Sequence, residues 1–185
     1  MIYRYFIWDY DGTLFDTYPA IVSAYREVLK KEYGVASDYD EIYAWAKVTL
    51  NHCNEKIAEK YGIDPDEFRS RYGRKYSECR AGEDPPFAGA KEICGLIKSA
   101  GGRNYIITHR DEQSLFMSLE KHDMKDLFED FITRDHMFPR KPDPKDFLFL
   151  IDKHRLDPAR TLGIGDRDID ILAARSAGIG MVYII

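Results

Sequence analysis

Tyr5-Phe6-Ile7-Trp8-Asp9-Tyr10-Asp11-Gly12-Thr13 runs from an apolar stretch into two carboxylates spaced two residues apart, with a glycine to turn the chain away. Residues 2–8 read as a buried strand. The acids therefore stand at its carboxyl end, which is where open α/β sheets bind their ligands. A pair of this kind suits metal-assisted phosphoryl transfer, one carboxylate attacking phosphorus and the other moving protons.

Outward from this strand the texture of the chain changes twice. Pro19 opens a helix in which Ile21, Ala24, Tyr25, Val28 and Leu29 share one face, and Gly34 ends it. From residue 17 to 86 every signal is helical. Ser37 with Asp40 predicts a capping box, and Asp64-Pro65-Asp66-Glu67 predicts a second helix start. His52 and Cys53 fall between two of these predicted helices. Ala81-Gly82-Glu83-Asp84-Pro85-Pro86 breaks the periodicity and reads as a linker.

Beyond residue 87 strands and helices alternate. Ile93, Leu96, Ile97 and Ala100 predict a helix face stopped by Gly101-Gly102. Strands follow at 104–108, 131–133, 161–165 and 180–184, with helices at 112–122, from Asp143-Pro144 onward, and at 168–177. Alternation of this kind implies an α/β fold, a Rossmann-like parallel sheet with helices on both faces. The domain reading is a core of residues 1–16 and 87–185, with an all-helical cap of residues 17–86 inserted after the first strand.

Bulk properties narrow the class of function. The chain has 185 residues, 44% hydrophobic and 32% charged, with a net charge of −5. That balance suits one soluble domain with a small insertion and speaks against nucleic acid or an anionic membrane as partner. Cys53, Cys79 and Cys94 are odd in number and form no CxxC pair, so they read as reduced thiols rather than a zinc or disulfide framework. No apolar run approaches the roughly 18 residues of a membrane span, and no secretory signal is evident. The expected setting is cytoplasmic.

Several further residues fall at predicted strand ends: Thr108, Lys141 in the loop after the strand at 131–133, Asp166, and Asp170 one helical turn on. Asp9, ionised at neutral pH, needs no general base to attack phosphorus. Asp11 can project to the same side and protonate the leaving oxygen, then deprotonate the hydrolytic water. Asp9, Asp166 and Asp170 would repel a phosphate dianion unless a hard cation such as Mg²⁺ intervened. Lys141 adds a fixed positive charge, and Thr108 a hydroxyl donor to a phosphoryl oxygen. Singly each has an ordinary explanation, a helix-capping hydroxyl or a solvated lysine; in this order, at successive strand ends, they make one site.

The series Asp9-Tyr10-Asp11-Gly12-Thr13, Thr108, Lys141-Pro142 and Gly165-Asp166-Arg167-Asp168-Ile169-Asp170 resembles the haloacid dehalogenase superfamily, and the resemblance spans essentially the whole chain. Phe15-Asp16-Thr17, the helical insert and Pro86-Phe87-Ala88-Gly89 resemble its phosphoglycolate phosphatase-like branch. The resemblance implies Mg²⁺ dependence and a small phosphorylated metabolite as substrate. It implies metal contacts from Asp9, Asp166, Asp170 and the main-chain carbonyl of Asp11, with Asp170 binding directly or supporting from behind. His109 and Arg167 depart from the usual residues at their positions; either both border the site, with His109 a candidate phosphate contact, or both point to solvent.

The leading expectation is a phosphatase working through an aspartyl-phosphate. The same core residues serve a sugar phosphomutase of the β-phosphoglucomutase type, which differs in cap contacts. A non-catalytic phosphoester-binding module sits poorly with four intact motifs. Asp11 argues against dehalogenases and phosphonatases, whose pattern lacks an acid there.

Overall fold

The computed structural model describes residues 2–79 and 84–183. Within them the order is β1 (Tyr5–Trp8), α1 (Tyr18–Tyr33), α2 (Tyr39–Val48), α3 (Leu50–Tyr61), α4 (Pro65–Cys79), α5 (Ala90–Ser99), β2 (Arg103–Ile107), α6 (Glu112–Lys121), β3 (Phe128–Ile132), α7 (Lys145–His154), β4 (Thr161–Gly165), α8 (Asp168–Ser176) and β5 (Gly180–Tyr183). The chain divides into two compact units, Met1–Asp16 with Pro85–Ile185, and Thr17–Asp84. Of the expected linker, Ala81, Gly82 and Glu83 lie outside the described residues, as does the Cys79 side chain. Pro85 and Pro86, grouped with the helices on sequence, fall in the first unit: Asp16 N donates to Pro85 O and Phe87 N to Leu14 O, each at 2.9 Å, which brackets a bridge between Phe15 and Pro86.

In the first unit five parallel strands run in the order β3-β2-β1-β4-β5. Period-two alternation sends side chains to both faces, and both are covered. Phe6, Trp8 and Ile106 meet Cys94 and Ile97 of α5 and Leu115 and Leu119 of α6. Ile7, Tyr105 and Ile107 meet Phe147 and Leu150 of α7 and Ala173 and Ala174 of α8. The buried Trp8 indole N–H donates to Asn104 Oδ1 at 3.0 Å, and the Asn104 amide donates in turn to Cys94 O and Leu127 O. A polar group in the middle of the sheet is thereby satisfied.

Several sequence expectations need correction. The buried face of α5 is Ala90, Cys94 and Ile97, whereas Ile93 and Leu96 are exposed. The strand expected at residues 131–133 begins at Phe128, and the one expected from residue 2 begins at Tyr5.

The second unit is four helices around an apolar centre of Tyr25, Val28, Ile42, Ile57 and Phe68, with Tyr25 stacked on Tyr72 at 3.9 Å between ring centroids. Three acceptors start its helices. Asp38 receives Glu41 N, in place of the expected Ser37 cap; Thr49 receives His52 N; Asp64 receives Glu67 N. The Thr49 cap puts His52 and Cys53 in the first turn of α3 rather than in a loop, and Cys53 is buried against Ile42 O. Among the described residues no helix is long and apolar enough to cross a membrane.

Candidate active site

Parallel register decides which residues share an edge. Trp8 pairs with Ile106 on one side and with Ile164 on the other. Asp9, one residue past Trp8, and Thr108 and Asp166, two residues past Ile106 and Ile164, therefore stand at the same edge of the sheet. Gly12, at φ +79°, turns the chain back, and the main-chain N–H groups of Thr13, Leu14 and Phe15 all donate to Tyr10 O. A side chain would be strained at that φ, whereas glycine takes it freely.

Lys141 ties the edge together. Its buried ammonium donates to Asp9 Oδ1 and Asp170 Oδ1, each at 2.6 Å, and to Ile107 O at 3.2 Å. The lysine thus joins the ends of β1 and β2 to α8. Against burial, which disfavours its charge, Asp170 and Asp9 raise its pKa and keep it an ammonium. Burial works on Asp170 too, but Lys141 and Arg167 hold that carboxyl below the ordinary carboxylate range. Asp9 goes the other way: burial and the neighbouring Asp170 push it up to about 7, against the pull of Lys141 and Arg167.

One oxygen each of Asp9, Asp166 and Asp170 lies within 4.8 Å of the others. At an effective dielectric of about 20, two unit charges 4 Å apart interact by about 4 kcal/mol, so such a triad demands a counter-charge. Asp9 Oδ2 is buried and has no hydrogen-bond partner among the described residues. An unpartnered buried oxygen beside two more carboxylates, with no His or Cys in the cluster, fits a hard divalent cation. A cation there would also oppose the upward drift of Asp9. Asp170 comes close because Gly165 leaves room: a Cβ on Gly165 would lie 2.5 Å from that of Asp170.

Thr108 is buried, and its Oγ1 accepts Arg110 N at 3.2 Å, which leaves the hydroxyl proton available to donate. His109, expected at the phosphate, has its Nε2 engaged as acceptor from Lys141 N at 3.1 Å. Burial, reinforced by Lys141, depresses His109 to about 3, so the imidazole is neutral and suited to that accepting role. Both residues line a cavity of about 180 Å³ with Thr133, Arg134, Arg140 and Asp146. Asp146 is itself buried, and that burial raises its carboxyl to about 6.

Arg110 is the residue that sequence reasoning missed. Its Nη2 donates to Asp11 Oδ1 at 2.7 Å, and its guanidinium lies 4.7 Å from the centroid of the Tyr10 ring. The Asp11 carboxylate is accordingly outside the acidic triad. The available signal was a basic residue in the same strand-end loop as Thr108, two positions on. Arg167, the other departure, faces the triad: Nη2 is 3.9 Å from Asp9 Oδ2, and Nε is 3.9 Å from Asp166 Oδ1 and from Asp170 Oδ2.

Known proteins resemble this chain along most of its length. Over 97% of its length the chain is 27% identical to the phosphoglycolate phosphatase of Photobacterium profundum, covering 83% of that protein. It is 29% identical to the phosphoglycolate phosphatase of Agrobacterium fabrum, over 94% of this chain and 76% of that one. The crystal structure of a hydrolase from Streptococcus pneumoniae superposes with a TM-score of 0.74 at 31% identity, covering 100% of this chain and 94% of that one. The sequence profile of the haloacid dehalogenase-like hydrolases matches residues 6–184, which takes in β2 through β5 and β1 from Phe6 onward, and the chain belongs to the haloacid dehalogenase-like hydrolase family.

Proposed function

We propose that the chain is a Mg²⁺-dependent phosphatase that hydrolyses a small phosphorylated metabolite through an aspartyl-phosphate. The observation that carries this reading is Lys141, bridging Asp9 and Asp170 at 2.6 Å each beside Asp166, with Asp11 two residues beyond Asp9. The two relatives named phosphoglycolate phosphatase support the substrate class, a compact phosphomonoester.

In this reading Asp9 attacks phosphorus; its new P–O bond forms as the ester P–O bond breaks, and Asp11 delivers a proton to the departing oxygen. Water then attacks the same phosphorus and gives its proton to Asp11, and the Asp9–phosphorus bond breaks to release phosphate. Thr108 donates to a phosphoryl oxygen, while Lys141 orients Asp9 and balances charge as it builds. His109 fixes the main chain of Lys141. Asp9, Asp166 and Asp170 would hold Mg²⁺, with the Asp11 carbonyl, and the ion when bound supplies electrophilic stabilisation of the phosphoryl oxygens.

The test is a panel of phosphomonoesters assayed with wild type and Asp9→Asn, with and without EDTA. Turnover should fall by roughly 10³-fold or more in the variant, and EDTA should silence the wild type reversibly. Full activity in Asp9→Asn, or metal-independent turnover, rejects the scheme. A trapped phospho-enzyme that passes its phosphate to a sugar phosphate and not to water marks a mutase instead.

A further inference from the structure

Arg167 follows Asp166 directly at the start of α8, and its side chain is only 14% exposed. One positive charge faces one oxygen of each of the three carboxylates, always at 3.9 Å. These separations are longer than hydrogen bonds, so the attraction along them is Coulombic. It acts strongly in a site with little water, and at these three contacts it lacks the directionality of a hydrogen bond. Lys141 differs in kind, since it holds Asp9 and Asp170 at 2.6 Å.

We propose that Arg167 is an internal counter-ion that competes with the divalent cation for the triad, neutralising the carboxylates in its absence and turning away for it to enter. The proposal rests on reading Asp9, Asp166 and Asp170 as the Mg²⁺ ligands. Charge balance supports it. Three carboxylates against Lys141 and Arg167 leave one net negative charge; a dication added to that set leaves the buried site net positive. With Arg167 turned out, the same dication brings the site to neutrality. A guanidinium and a dication sharing the same carboxylates also repel each other at short range.

The test is calorimetric titration of Mg²⁺ into metal-stripped wild type, Arg167→Gln and Arg167→Lys, with melting temperature followed from EDTA to saturating Mg²⁺. Glutamine keeps N–H donors but removes the charge. Arg167→Gln should bind Mg²⁺ about tenfold more tightly than wild type, and Arg167→Lys within about threefold of it. In EDTA Arg167→Gln should melt below wild type, with Mg²⁺ restoring the difference. Equal or weaker Mg²⁺ binding by Arg167→Gln, with wild type binding, overturns this proposal alone. Binding by neither overturns it together with the metal reading of the triad. If Arg167→Gln does not fold in EDTA, recovery of its fold by Mg²⁺ supports the proposal, and failure to recover overturns it.

Discussion

Asp11 is held by a neighbour whose own position is fixed. Arg110 reaches it at 2.7 Å from a buried position over Tyr10, and Tyr10 is pinned by its hydroxyl to Ser118 Oγ at 2.6 Å and by stacking on Phe15. Arg110 is therefore read as a positioning residue for the proton-transferring carboxylate. Arg110→Ala should lower kcat by about 10–100-fold, because a small displacement of a reacting group is costly. KM should move by less than about twofold, and Arg110→Lys should restore part of kcat. Stability should drop by about 1–3 kcal/mol in a urea melt. Steady-state kinetics on the best substrate of the panel decides; a raised KM at unchanged kcat would assign Arg110 to substrate binding. Asp9, Thr108, Lys141 and Asp166 were legible in the sequence because each is a chemically loaded residue directly after an apolar run or a loop signal. The Arg110–Asp11 pair was not, since its members are 99 residues apart and only the β1–β2 register brings them together.

At the scale of elements, the joint between β4 and α8 is where packing and chemistry meet. Gly165 is required there for space, because Asp170 lies where a Cβ would point. Gly165→Ala should force α8 outward, costing about 1–3 kcal/mol as overpacking does, and should weaken Mg²⁺ binding in parallel. A urea melt and a calorimetric titration of the same variant check both, and wild-type values in each would show that α8 shifts freely. In sequence Gly165 reads as the last residue of a strand, and nothing there tells what lies beside it in space, so this role was hidden. The start of α4 was legible, because Asp64-Pro65 carries its own cap chemistry. The face of α5 was not: Ile93 and Leu96 keep the helical spacing but point to solvent, and the smaller Ala90 and Cys94 fit against the sheet. Periodicity counts apolar residues; it does not measure the room beneath a helix.

Across the whole molecule, alternation of strands and helices after residue 87 was enough to read a parallel sheet, while the order β3-β2-β1-β4-β5 was settled by pairing between distant segments. That order has a consequence for how the chain is made. β1 precedes the helical unit Thr17–Asp84, yet its hydrogen-bond partners arrive only with β2 and β4, after that entire unit. Contacts within that unit close over short stretches of chain, and local contacts form faster than distant ones. The two tryptophans separate these events: Trp45 packs in the helical unit, and Trp8 is buried in β1. In stopped-flow refolding, Trp8→Phe, which reports through Trp45, should recover its fluorescence before Trp45→Phe, which reports through Trp8. Coincident phases would mean that both units form in one cooperative step. On the expected outcome, the strand that delivers Asp9 precedes the helical unit in the chain yet finds its neighbours only after that unit has folded.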